Sequence, residues 1–221
     1  MSASNNDFSP NIPLPTPPPL MQDWRFRHRG LAGAVILGPA LVATALSAPL
    51  IREGTWADSG MDLLAWVCFV GGLCFRFWST LYVGGRKRQS LVTQGPYSIC
   101  RNPLYVGSLL LALSAGCYLK GIVFLAFLSL AALAYMRFTV PAEERDLRRI
   151  HGAAFDEYCR RTPRFMPRFS LYQSPVTVEV SLHGLRLEMK RCLLWVWLPV
   201  LGEMLAHARV THWWPKLFQL L

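Results

Sequence analysis

The sequence predicts an all-α, polytopic membrane protein: four to five transmembrane helices including a tight helical hairpin, plus a cytoplasmic amphipathic helix. Three observations predict it. Hydrophobic residues make up 52% of the 221 and charged residues only 16%, values on the membrane side of the globular norm. Apolar runs recur along the chain. Lysines and arginines crowd into alternate connections between those runs, which is the positive-inside pattern.

Residues 1–20 are too rich in proline for helix or sheet and read as a disordered or polyproline-II tail. No basic n-region leads directly into an h-region, so no cleavable signal peptide is expected. A basic and aromatic cluster, Trp24 to Arg29, suits the anionic side of a membrane interface. Leu31 to Ile51 follows, 21 residues without a charge. As a helix it is about 31 Å long, enough to span.

Met61 to Val83 is the second run. It holds Arg76, which is costly in hydrocarbon unless it is paired, snorkels to the headgroups, or faces a polar cavity. Leu104 to Ala115 is a third run, short for a span. Gly116 to Gly121 is read as its turn, and Ile122 to Val140 as the returning run. Pro141, Glu143 and Glu144 then look like a helix start, with acids at the positive dipole end. Leu147, Ile150, Ala154, Phe155 and Tyr158 recur at helical spacing opposite Arg145, Arg148 and Arg149, which predicts an amphipathic helix on the membrane. Residues 170–180 are β-branched enough to extend. His183 to Arg209 reads as helical, with a core, Cys192 to Leu201, of only ten apolar residues, short or re-entrant as a fifth element. His212-Trp213-Trp214 resembles an interfacial anchor.

The charge pattern fixes an expected topology. Arg25, Arg27 and Arg29 precede the first run, and Arg52 alone is the base of the next loop. Arg86, Lys87, Arg88 and Arg101 lie between the second and third runs, and Lys120 alone in the hairpin turn. Arg145 through Arg168 follow the fourth run. N-terminus, central connection and post-hairpin segment are thus expected on the cytoplasmic side. The net charge of +10 then points to anionic lipid headgroups. Nucleic acid is not expected as a partner, since no RNP, KH or zinc-finger pattern is present. The six cysteines show no CxxC and no metal-ligand spacing, so neither a disulfide framework nor a metal site is expected.

The chemistry concentrates in Gln89 to Gly107. Two breaks, Gly95-Pro96 and Asn102-Pro103, sit there with Tyr97, Arg101 and Tyr105. A plain connector needs none of these, whereas irregular backbone at a membrane surface can wrap a polar ligand. The hairpin brings residues 141–168 back to the same face. Gly95-Pro96-Tyr97, Arg101 and Asn102 can then meet Glu143 and Glu144. Taken singly, the two acids could be no more than a helix-start charge pattern, the tyrosines interfacial anchors, and Arg101 a partner for lipid phosphate.

Together, Gly95-Pro96-Tyr97, Arg101-Asn102-Pro103-Leu104-Tyr105-Val106-Gly107, the hairpin, Glu143-Glu144, Gly152 and Tyr158 resemble the isoprenylcysteine carboxyl methyltransferase and phospholipid methyltransferase superfamily. Arg76-Phe77-Trp78 upstream resembles a family feature too. Members are integral membrane enzymes that use S-adenosylmethionine (SAM). The resemblance implies cofactor contacts from Gln89, Ser90, Leu91, Val92, Tyr97, Asn102, Pro103, Leu104, Tyr105 and Glu143. Glu143, Arg101 and Glu144 are the catalytic candidates. It also implies a hydrophobic acceptor from the membrane. Two positions depart from the family: Asn102 stands where His is common, and Thr139 where prenylcysteine enzymes carry a substrate arginine. A non-prenylcysteine acceptor is therefore expected. The alternatives are an NADPH-dependent membrane reductase, for which Arg160, Arg161, Arg164 and Arg168 could serve a 2′-phosphate, and a non-enzymatic adaptor or transporter. The expected organisation is a tail at 1–23, a methyltransferase-like membrane domain at 24–169 and an extension at 170–221.

Overall fold

The computed structural model describes residues 35, 37–47, 49, 51, 53–83, 90–178, 180–211 and 213–215. The readings of the proline-rich tail, the Trp24–Arg29 cluster, Gly84–Gln89 and His212 fall outside those residues, as do parts of the first apolar run; within that run, residues 37–45 are helical. The helices that follow are α1 (Trp56–Val83), α2 (Pro96–Ile99), α3 (Pro103–Leu119), α4 (Ile122–Ala134), α5 (Val140–His151), α6 (Ala153–Arg161), α7 (Leu182–Trp195) and α8 (Trp197–Val210). Three continuous stretches, Trp56–Val83, Ile122–His151 and Leu182–Val210, are long and apolar enough to cross a membrane, and α3 is a shorter apolar helix. The described residues thus form an all-helical membrane fold.

Helices α1 and α3 make the main contact of the bundle. They cross where Gly72 meets Gly107. A Cβ on either glycine would lie 2.9 Å from the carbonyl oxygen of the other, so only small residues allow this approach. Helices α7 and α8 pack against α1 and α3 respectively.

One end of the bundle is closed by charges. Lys120 takes a left-handed backbone conformation with φ 44°, ending α3. Its buried ammonium meets Asp58, and Asp62 at 2.9 Å. The lone lysine of the hairpin turn is therefore matched by the acids that open α1. Arg209 of α8 is fully buried there and donates to Ser47 O at 2.9 Å and to Leu119 O. Leu119 O is a carbonyl at the end of α3, and the negative end of a helix dipole suits a cation. Trp214 donates to Ala45 O at 2.7 Å instead of standing free as an anchor.

Four expectations are corrected. Gly116 is not a turn: α3 continues to Leu119, and Gly116 lies under the returning helix, where a Cβ would be 2.4 Å from Leu125 Cδ2. Pro141 does not start a helix. The chain runs helical from Ile122 to His151, with a π turn at Tyr135–Thr139 just before the proline. A proline inside an α-helix lacks its N–H and clashes with the carbonyl four residues back; a π turn relaxes that spacing. The amphipathic helix is two helices, broken at Gly152 with φ 53°, ψ −129°, a conformation open to glycine. The described residues of 170–180 form no strand: a 3-10 turn at Phe169–Leu171 is followed by irregular chain tied to the central connection.

Two open questions also close. Arg76 does not snorkel but donates to Glu188 Oε1 at 2.6 Å. The ten-residue core of the last segment lies within 29 helical residues, because polar groups such as Glu188 and Arg209 face partners in the bundle rather than interrupting the helix.

Candidate active site

At the end of the bundle away from Lys120, the central connection folds against the chain that follows the hairpin. Gly95 opens α2 with φ 60°. Its N–H donates to Gln173 O at 2.7 Å, and Gln173 N–H donates to Ser98 Oγ at 3.0 Å. Arg101 N–H donates to Pro163 O at 2.8 Å, and Arg168 N–H to Ile99 O at 3.0 Å. The Asn102 amide donates to Arg164 O at 3.1 Å. The two breakers therefore release backbone groups that the 163–173 segment satisfies, as buried peptide groups require.

A cleft opens between these segments, lined by Val83, Ser90, Leu91, Val92, Tyr97, Arg101, Asn102, Glu143, Glu144, Leu147, Phe155 and Tyr158. Its empty volume is about 500 Å³, including space open to solvent. Eight of the candidates expected from sequence meet here: Ser90, Leu91, Val92, Tyr97, Arg101, Asn102, Glu143 and Glu144. Three others lie outside its lining. Pro103 begins α3, Leu104 gives its carbonyl to Ser108 Oγ at 2.9 Å, and Tyr105 packs edge-on against Tyr135 at 5.2 Å. Gln89 lies outside the described residues. A larger neighbouring groove, about 930 Å³ with open solvent, lies along Thr93, Glu157, Tyr158 and Arg161 and includes none of the catalytic or SAM-binding candidates.

The acids divide their work. Glu144 is buried and bound by two guanidiniums: Arg101 Nη1 at 3.2 Å, and Arg164, whose Nε lies 3.1 Å from each carboxylate oxygen. Arg101 Nη1 also reaches Cys159 Sγ at 3.0 Å. The hydrogen bond to Glu144 holds the Arg164 guanidinium above its usual range. Glu143, one position earlier, lines the cleft too. Because the helix runs on from α4, neither acid sits at a free helix start, and the dipole explanation of the pair does not apply.

Tyr97 and Tyr158 form a buried pair, with Tyr158 donating to Tyr97 O at 2.7 Å. Burial raises both phenols well above the usual range, so both stay neutral. It also pushes the Cys100 thiol up to about 11. Among the described residues, the Tyr97 hydroxyl and Arg101 Nε are buried with no hydrogen-bond partner in the protein. Buried groups of this kind are uncommon in folded proteins.

Sequence reasoning placed Leu147, Phe155 and Tyr158 on a membrane-facing stripe. The Gly152 break turns Phe155 and Tyr158 inward instead. Cys159 carries no sequence signal for the site, and Arg164 was weighed only for a 2′-phosphate, not as a partner of Glu144. Of the arginines weighed for a 2′-phosphate, none lines the cleft. Arg160 and Arg161 pair with Glu157, and Arg164 with Glu144.

This cleft is built almost wholly from one matched stretch. Residues 62–154 match the phospholipid methyltransferase family model. The expected resemblance to that membrane methyltransferase superfamily is borne out there, and only Phe155 and Tyr158 of the lining lie beyond the matched residues. Over 211 residues the chain is 29% identical to the nickel-cobalt-cadmium resistance protein NccN of Alcaligenes xylosoxydans xylosoxydans, covering 96% of this chain and 97% of that one. Over 135 residues it is 43% identical to the cobalt-zinc-cadmium resistance protein CzcN of Cupriavidus metallidurans, covering 58% of this chain and 60% of that one. No solved structure matches the chain. Among the described residues no three His, Cys, Asp or Glu side chains gather as a metal-ligand set.

Proposed function

We propose that this chain is a SAM-dependent methyltransferase of the membrane, acting on a hydrophobic acceptor resident in the bilayer. The observation that supports this best is the meeting of Tyr97, Arg101 and Asn102 with Glu143 and Glu144 in one cleft. The residues fit the cofactor's chemistry. Glu143 suits its amino group or ribose hydroxyls. Arg101 Nε and the Tyr97 hydroxyl, both unpartnered in the protein, suit a carboxylate or another polar edge. Leu91, Val92, Leu147 and Phe155 offer apolar surface to a purine.

When bound, SAM would supply an activated methyl carbon, to which an in-line nucleophile bonds as the carbon–sulfur bond breaks and S-adenosylhomocysteine leaves. The chain's own contribution is to position the reactants and exclude water. Glu144 is committed to two guanidiniums, so its task is to hold Arg101 in place. Glu143 lines the same cleft and brings a second carboxylate to it. A carboxylate acceptor needs no base, whereas an ammonium must first lose its proton.

The acceptor reaches the cleft laterally. Val83 ends a span-length helix at the cleft, so a tailed acceptor can keep its chain in the bilayer while its head enters. Each buried tail CH₂ is worth about 0.8 kcal/mol. Labelled methyl transfer from SAM to acetyl-farnesylcysteine, to phosphatidylethanolamine and to short-chain forms of each tests this. Tailed acceptors are expected to react far faster, with prenylcysteine not preferred, since Thr139 stands at the substrate-arginine position. Equal rates for tailed and tailless forms would refute lateral entry.

The cleft is proposed to face the cytoplasm, from the lysine and arginine pattern. A topology reporter at residue 90 or 150 is expected to read cytoplasmic, and one at 56 or 119 extracytoplasmic. Opposite sides for 90 and 150 would break the shared cleft. The relatives' names speak of metal resistance; methylation of an envelope acceptor is the way this chain would serve such a role.

A further inference from the structure

We propose that Glu188, in α7 and outside the family-matched stretch, is a positioning residue of the transfer site, acting through Arg76 and Ser108. The proposal rests on the methyltransferase reading above. Glu188 is 2% exposed and grips Arg76 with both oxygens, Nε to Oε1 at 2.6 Å and Nη2 to Oε2 at 3.0 Å. That bidentate geometry fixes the guanidinium plane. The remaining arm, Arg76 Nη1, donates to Ser108 Oγ at 2.6 Å. Ser108 Oγ in turn donates to Leu104 O at 2.9 Å, in the first turn of α3.

The Arg76 stem also packs on Gly107, where a Cβ would lie 2.7 Å from Arg76 Cγ. The start of α3 is thereby seated on Arg76. Immediately before it stand Arg101 and Asn102, both in the cleft lining. Asn102 O accepts from Tyr105 N–H at 3.0 Å and Val106 N–H at 3.1 Å, so the same turn carries Asn102. Arg191 approaches Glu188 Oε2 at 3.4 Å from the exposed side. A pair serving only to hold helices together could be exchanged for apolar side chains of similar size at little cost. A pair that aims the start of α3 could not.

The test compares wild type, E188Q, S108A and the double variant R76M/E188M in nanodiscs. It measures thermal midpoint, SAM affinity, transfer rate and amide hydrogen exchange over residues 101–108. The double variant is expected to keep a thermal midpoint near wild type. Its SAM affinity and transfer should fall roughly tenfold or more, as misplacement of positioned groups does, with faster exchange confined to 101–108. S108A, which leaves Arg76–Glu188 intact, should move affinity and exchange in the same direction; it carries the test if the double variant does not fold. Wild-type affinity and unchanged exchange in either variant would overturn the proposal. A wild type that binds no SAM would refute the methyltransferase reading, while the exchange measurement would still decide whether Glu188 positions α3.

Discussion

Glu144→Gln is expected to destabilise the protein and to abolish measurable SAM binding. The substitution keeps the shape but removes the charge that compensates Arg101 and Arg164. Glu144 is 8% exposed, and breaking a buried pair from one side costs about 3–5 kcal/mol. Arg164 is 40% exposed, and exposed partners are worth much less. An expected loss of about 2–3 kcal/mol follows from the two limits. For a chain of this size that lowers the thermal midpoint by roughly 5–10 °C. Cofactor binding goes too, because Arg101 is no longer held in the cleft wall. Thermal unfolding in nanodiscs with and without SAM measures both. An unchanged midpoint would mean that the two arginines do not depend on Glu144.

Glu143→Gln is expected to do the reverse: large loss of affinity, little loss of stability. A charged hydrogen bond contributes about 1.5–3 kcal/mol, equivalent to roughly 10–100-fold in SAM affinity. The thermal midpoint without ligand should move far less than in Glu144→Gln. Titration calorimetry separates the two variants, and unchanged affinity would remove Glu143 from the site. In cells the same substitution tests the link to metal resistance. If this chain serves such a role through methyl transfer, cells carrying Glu143→Gln tolerate metal less than cells carrying the wild type; equal tolerance would detach the two.

The site was legible where its signals are local. Gly95-Pro96, Asn102-Pro103 and the paired acids break regular sequence in ways that need only neighbours to interpret. The arginine distribution then brought the two stretches to one face. What could not be read depends on distant partners or on helix geometry. Arg76 looked like a snorkelling cation because its carboxylate lies 112 residues away. Pro141 reads as a helix start by ordinary rules, and only the π turn before it lets the helix run through. Glu203, just after Leu201, seemed to cut the last apolar segment short, yet the helix runs on through it to Val210. Tyr105 sat in the right motif, yet one helical turn carries its ring to Tyr135 instead of the cleft.

The central claim is that the cleft takes SAM. Isothermal titration of the wild-type protein in nanodiscs with SAM, S-adenosylhomocysteine and NADPH tests it most directly. Saturable binding of SAM and S-adenosylhomocysteine at one site, reduced by Glu143→Gln, with no binding of NADPH, is the expected result. Binding of NADPH in place of SAM, or of neither by a folded protein, would contradict it.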